Sequence, residues 1–202
     1  QKQLQESAWG TVEYEHWNER AARELCLQED VMRSQIEGCD FLIANGEPVR
    51  CMNAKSVYDH YEKAPELHIE DLDLLLDILA EKYPHLTQAA KELLEGKVFY
   101  PCNMFIMSRC LFQEYAAMLF DVLEQFEKRA DMRTYSREGY RTIGHLGERM
   151  AGIYYLYLQK QGGYRLKEAQ IALIHHAQTQ TEIKKVPGAV PVVLAANQEY
   201  VP

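Results

Sequence analysis

Apolar residues recur with a helical period along most of the second half of the chain. Leu111, Tyr115, Met118, Val122 and Phe126 fall on one face, which predicts a long amphipathic helix from Leu111 to about Arg129. Glu70 to Tyr83 reads the same way, with Leu72, Leu75, Leu76 and Leu79 inward and Pro84 beyond its end. Another helix is expected from Thr87 to Glu95, with Gly96 at the left-handed closing position that suits glycine. The pattern then predicts helix from about Gly144 to Lys160, halted at Gly162-Gly163, with Ile143, Met150, Ile153, Tyr154 and Tyr157 mostly on its apolar side. Shorter helices are expected over Val12 to Leu25, Leu27 to Glu37 and Ser56 to Lys63, the last capped by Ser56 and bounded by Pro65.

Strand-forming runs are shorter and fewer. Asp40 to Ala44 reads as a buried strand, followed by an Asn45-Gly46 turn and a loop over 47–55. Val98 to Met107 is a second apolar run, in which Pro101 predicts a bulge or a sheet edge. A polar connection covers 130–140, and Gln170 to Ile174 reads as a last strand. Residues 1–174 are thus expected to form a helix-rich α/β unit, 175–189 a linker, and 190–202 the opening strand of another domain.

Composition narrows the function classes. The chain has 202 residues, is 47% hydrophobic and 26% charged, and can bury a sizeable core. A net charge of −8 argues against nucleic acid as the main partner, because phosphate neutralisation needs clustered Lys and Arg. The five cysteines are odd in number and irregularly spaced, without a Cys-x-x-Cys pair. That favours reduced thiols in a cytoplasmic protein over a disulfide framework or a zinc site. No apolar run approaches the ~18–20 residues of a membrane span.

Polar residues concentrate where the last long helix begins. His145, Glu148, Arg149 and Gly152 lie at i, i+3, i+4 and i+7 and share a helix face. Glu148 there suits a general base, with Arg141 and Arg149 to bind phosphate or hold Glu148, and Gly152 leaving room for a ligand. The competing reading is a solvated helix start with an ordinary Glu–Arg pair. Asn103, in an otherwise apolar strand, is either a ligand contact or the hydrogen-bonding partner of an irregular strand. His68 and Asp71 flank a helix start, where Asp71 also favours the helix N-terminus electrostatically. His60 and Tyr61 are accounted for by an amphipathic helix. Asp71 and Asp73 spell Asp-x-Asp, but inside a helical segment, and adjacent His175 and His176 diverge on a strand. No metal ligand is therefore assigned, and a divalent-metal requirement stays open.

Several of these strings carry a resemblance. NMFIM (103–107), a helix ending in EKR, and the R-x-x-G-x-L-x-E-R-M pattern from Arg141 to Met150 resemble the carboxyl-terminal half of a bacterial glycosyltransferase family. That family, from capsule and O-antigen biosynthesis, was long catalogued as a domain of unknown function. The upstream YDHYEKAPELHIEDLDLLLDIL (58–79) also resembles a family stretch, and together the strings cover roughly residues 30–160. The family's His-Tyr-Arg-Arg-Tyr segment, from its nucleotide-binding first half, is not found.

The resemblance implies a partial GT-A-like, Rossmann-like fold. The implied activity is transfer of a sugar, galactofuranose among them, from a UDP-sugar donor to a lipid-linked glycan. It implies Glu148 and His145 as catalytic residues, with Asn103, Arg141, Arg149, His68 and Asp71 on substrate. It also implies a place in the cytoplasm, at the inner face of the membrane, with peripheral association left open. The stretch AVPVVLAANQEYVP (189–202) resembles the opening of a family-eight glycosyltransferase domain, with Asn197 where that family usually has Asp. The alternative is a non-catalytic domain that positions an acceptor or a partner enzyme.

Overall fold

The computed structural model describes residues 5–6 and 12–176. Expectations that fall on 177–202, including the strand over 190–202, lie outside the described residues. The fold is helix-rich α/β, as expected. Its elements are β1 (Gln5–Glu6), β2 (Val12–His16), α1 (Glu19–Glu24), α2 (Glu29–Ile36), β3 (Phe41–Ala44), β4 (Glu47–Pro48), α3 (Val57–Glu62) and α4 (Ile69–Lys82). There follow α5 (Thr87–Glu95), β5 (Val98–Phe99), β6 (Phe105–Met107), α6 (Arg109–Arg129), α7 (Thr142–Gln161), β7 (Leu166–Ala169) and β8 (Ala172–His176).

The amphipathic faces do what their periods predict. Leu111, Tyr115, Met118, Val122 and Phe126 of α6 are all buried, as are Leu72, Leu75 and Leu79 of α4, while Leu76 is half-covered. Both helices join α5 and α7 around one hydrophobic cluster. Each fully buried Leu or Phe contributes about 1.5–3 kcal/mol of transfer free energy. Ser56 caps α3 by accepting from the Asp59 amide at 3.1 Å. Gly162 and Gly163 end α7 at φ of 68° and 80°, a region that favours glycine.

The described residues form three small sheets. In one, β3 lies between antiparallel β6 and parallel β7, with Phe41 opposite both Met107 and Leu166. Phe41 then meets Tyr155 of α7 edge-on at 5.5 Å, which seats the sheet on the helix. A second sheet runs β1-β2-β8, and β4 pairs with β5 in a third.

Four local expectations are corrected. Residues 12–16 are strand, not helix, and the helix begins only after Asn18, whose side chain caps α1. The alternation in Val-Glu-Tyr-Glu-His suits the parallel partner β8, which lies some 160 residues away in the chain. Val98 to Met107 is not one bulged strand. It breaks at Pro101 and at Cys102, whose φ of 63° is left-handed, so β5 and β6 join different sheets. Gly96 is extended (φ −70°, ψ 171°), and a Cβ there would stand 2.7 Å from the Glu92 carbonyl oxygen. The strand expected over 170–174 begins only at Ala172 and, as β8, runs on through His176 into the expected linker, while a separate strand, β7, precedes it.

Candidate functional site

The amino-terminal half of α7 gathers most of the candidate residues. Arg149 is turned into the core, with only 2% of its side chain exposed. Its guanidinium lies 4.4 Å from the ring centre of Phe99 and 5.1 Å from that of Tyr61. Desolvated contacts of this kind are worth about 2 kcal/mol. Arg149 Nη1 donates to Glu148 Oε2 at 3.0 Å and to the His145 carbonyl at 3.3 Å. Its Nε–H is buried with no hydrogen-bond partner. Glu148 and His145 keep 23% and 30% of their side chains exposed, and His145 Nδ1 stands 3.8 Å from Glu148 Oε2. A buried cation therefore holds a carboxylate at the protein surface, beside an imidazole.

The electrostatics follow from that burial. Desolvation depresses the His145 pKa against the opposing pull of Glu148, and Arg149 and Arg141 depress it further. His60 of α3 reaches the cluster from the other side, its Nδ1 3.5 Å from Arg149 Nη2 and its ring 5.3 Å from Phe99. Burial, then the charge of Arg149 and that of His145 once it is protonated, bring His60 down to about 4. Near neutral pH both imidazoles are thus uncharged and can accept a proton or a hydrogen bond.

The segment from Phe99 to Asn103 crosses α7 over its glycines. Gly152 is buried, and a Cβ there would lie 3.1 Å from Leu93 Cδ2 and 3.4 Å from Tyr100 Cδ2. The gap expected at Gly152 for a ligand is filled by these side chains instead. Gly147 faces Asn103, with Nδ2 at 3.2 Å from its would-be Cβ, and Asn103 Nδ2 donates to the Gly144 carbonyl at 3.4 Å. Asn103 sits in an exposed loop, not inside an apolar strand, because the chain has already broken at Cys102. Burial raises the Cys102 thiol pKa, and the charge of nearby Glu148 raises it further.

Asp71 and His68 lie apart from this carboxylate but on the same network. Asp71 is buried at the start of α4 and accepts from Tyr135 Oη and Thr142 Oγ1, each at 2.7 Å. The Thr142 hydroxyl is also 2.8 Å from that of Tyr61, beneath Arg149. His68 stacks on Tyr135 at the surface. Arg141 is exposed and paired with Glu138. Asp73 accepts from Tyr58 Oη at 3.0 Å, so the two acids of the Asp-x-Asp string face different partners. Among the described residues no group of three or more His, Cys, Asp or Glu could hold a metal ion, and no helix is long and apolar enough to cross a membrane.

The structure brings together Glu148, His145, Arg149 and Asn103, and adds His60, Tyr61, Phe99 and Cys102. His60 and Tyr61 read as ordinary helix positions, and nothing local distinguishes Phe99. Their contacts depend on α3 and β5 meeting a helix some fifty to ninety residues later in the chain. A groove of about 610 Å³ between α3, α4 and α5 shares no residue with the cluster.

Comparison with known proteins agrees with the motifs. The solved apo structure of the WbbM bifunctional glycosyltransferase superposes with a TM-score of 0.79 at 31% identity, covering 87% of this chain. The chain spans 31% of the length of that protein. Such a match supports a GT-A-like architecture for the helix-rich α/β fold. None of the curated proteins searched matches the chain. The family described as "Domain of unknown function (DUF4422)" matches residues 2–161, beginning upstream of the strings that first suggested a resemblance. On that match across most of its length, the chain belongs to the DUF4422 family.

Proposed function

We propose that this chain acts in sugar transfer during synthesis of a bacterial surface polysaccharide, with Glu148 as the catalytic base. The observation that carries the reading is the carboxylate of Glu148, fixed by buried Arg149 and left open to solvent beside a neutral His145. In this reading Glu148 takes the proton of an acceptor hydroxyl. The acceptor oxygen bonds to the anomeric carbon of the donor as the bond to the nucleoside diphosphate breaks, with inversion. His145 offers a second acceptor for the same proton. Asn103, which donates to the Gly144 carbonyl, and Arg141, just before α7, are both exposed and bind hydroxyl or phosphate oxygens. The donor is a UDP-sugar, with UDP-galactofuranose as the first choice, and the acceptor is a lipid-linked glycan at the inner membrane face. A second glycosyltransferase domain adjoins this one.

A second reading is a non-catalytic module that positions acceptor. It is favoured by Arg149 and Arg141 already being paired, with Glu148 and Glu138, which leaves neither cation free for a diphosphate. Nucleotide release from UDP-galactofuranose and UDP-galactose, measured with a synthetic lipid-linked acceptor, separates the two. Acceptor-dependent UDP release that collapses in Glu148→Gln supports catalysis. Acceptor binding without any release supports the module.

A further inference from the structure

The loops before α4 and before α7 carry an aromatic surface that the hydrophobic core does not use. His68 stacks on Tyr135, with ring centres 4.1 Å apart and planes at 18°. Tyr140 stands edge-on to Tyr135 at 6.4 Å and is 51% exposed. None of the three rings belongs to the core cluster. The surface is nevertheless rigidly supported. Tyr135 Oη is anchored on buried Asp71, whose charge, after desolvation, pushes the phenol pKa up and keeps it a donor. Ser136 Oγ donates to Glu66 Oε2 at 2.6 Å and accepts from the Gly139 amide at 3.0 Å. Glu66 itself is held at a left-handed φ of 65°. Such a conformation persists in a non-glycine residue only where its surroundings over-determine it.

We propose that His68, Tyr135 and Tyr140 form a shelf that binds a hexose ring of the acceptor glycan, a proposal that rests on the glycosyltransferase reading. A sugar ring presents an apolar C–H face to aromatic surface and hydroxyls at its edge. Glu66 lies beside the shelf through Ser136, and Glu70 acts electrostatically on Tyr135. Glu138 and Arg141 flank Tyr140 in the chain. The carboxylates suit the hydroxyls of an uncharged sugar. Arg141 immediately precedes α7 and Glu148 lies seven residues further on, which is about 10 Å of helix rise. The shelf thus takes a sugar further along the acceptor than the one bearing the attacking hydroxyl.

Saturation-transfer NMR on the whole chain tests this with three probes: methyl β-galactofuranoside, methyl α-galactopyranoside and UMP. Transfer to ring C–H protons of a hexoside at millimolar concentration is expected. It should disappear in the His68→Ala/Tyr140→Ala double variant at unchanged melting temperature. If the double variant is destabilised, Tyr140→Ala alone carries the comparison. Glu148→Gln should keep the hexoside signal, so the shelf stands even if turnover fails. Absence of hexoside transfer in the wild type would overturn the proposal, as would transfer that survives both shelf variants, loss of transfer in Glu148→Gln, or a signal from UMP alone.

Discussion

Arg149 shows how one buried charge organises its neighbours. A guanidinium with 2% of its side chain exposed is tolerable here because Glu148, the His145 carbonyl and two aromatic faces surround it. Glu148 therefore has a structural share in addition to its proposed chemistry. Its conversion to Gln keeps a carbonyl for Nη1 but removes the opposing charge. We expect a loss of about 1.5–3 kcal/mol in stability, the usual worth of a hydrogen bond to a charged group. Turnover should fall by ~10²–10⁴-fold, the usual contribution of a general base. Urea titration and a UDP-release assay on the same preparation measure both. A turnover loss no larger than the unfolded fraction explains would leave Glu148 purely structural.

His60 sets a pH dependence at the same scale. The folded chain keeps it neutral down to about 4, whereas an ordinary histidine takes up its proton near 6.5. Between those values the unfolded state binds the extra proton, so stability falls as pH drops through that window. Unfolding midpoints above 6.5 and near 4 should differ less in His60→Gln than in the wild type. An unchanged difference would mean that His60 is protonated without penalty in the fold.

At the scale of elements, α7 is shaped by what its glycines admit. Gly152 admits Leu93 and Tyr100, which are buried and have little room to retreat. Gly152→Ala should cost about 1–3 kcal/mol through overpacking. Gly147 admits only the end of the exposed Asn103 side chain. Gly147→Ala should be neutral or stabilising by up to ~1 kcal/mol, the helix propensity difference, while it displaces Asn103 from the cluster. The pair thus separates packing from function: one variant melts early, and the other melts normally with impaired acceptor use. Thermal melts and acceptor titrations on both variants decide it.

Across the molecule, stability is unevenly distributed. Among the side chains described, the core cluster draws on α3 through α7 and on β3, and takes none from β2 or β8. β2 and β8 pair in parallel, with a His175–Glu13 contact between them and Leu173 of β8 48% exposed. Their amides should exchange with solvent through local opening, well ahead of those in α4, α6 and α7. Hydrogen exchange followed by mass spectrometry reads this directly. Equal protection of β2 and α6 would show that the parallel pair unfolds only with the core.

The sequence by itself determined what depends on near neighbours. Helical periods placed α4, α5, α6 and α7 within a few residues, Ser56 and the paired glycines marked helix ends, and the apolar run after Asp40 marked β3. It also singled out Glu148, His145 and Arg149, because residues three and four apart on a helix must share a face. The tertiary structure decided everything that needs a distant partner. Val12 to His16 became strand because Ala172 to His176 lies beside it. The interior of the fold took up Arg149 because Phe99 and Tyr61 present their rings there. Gly152 became a packing site, Asp71 a buried acceptor for Tyr135 and Thr142, and Asn103 an exposed loop residue. Backbone propensities and capping act over a turn or two of chain. Burial, ion pairing and sheet register act between segments brought together only by folding, and they decided which polar residues meet.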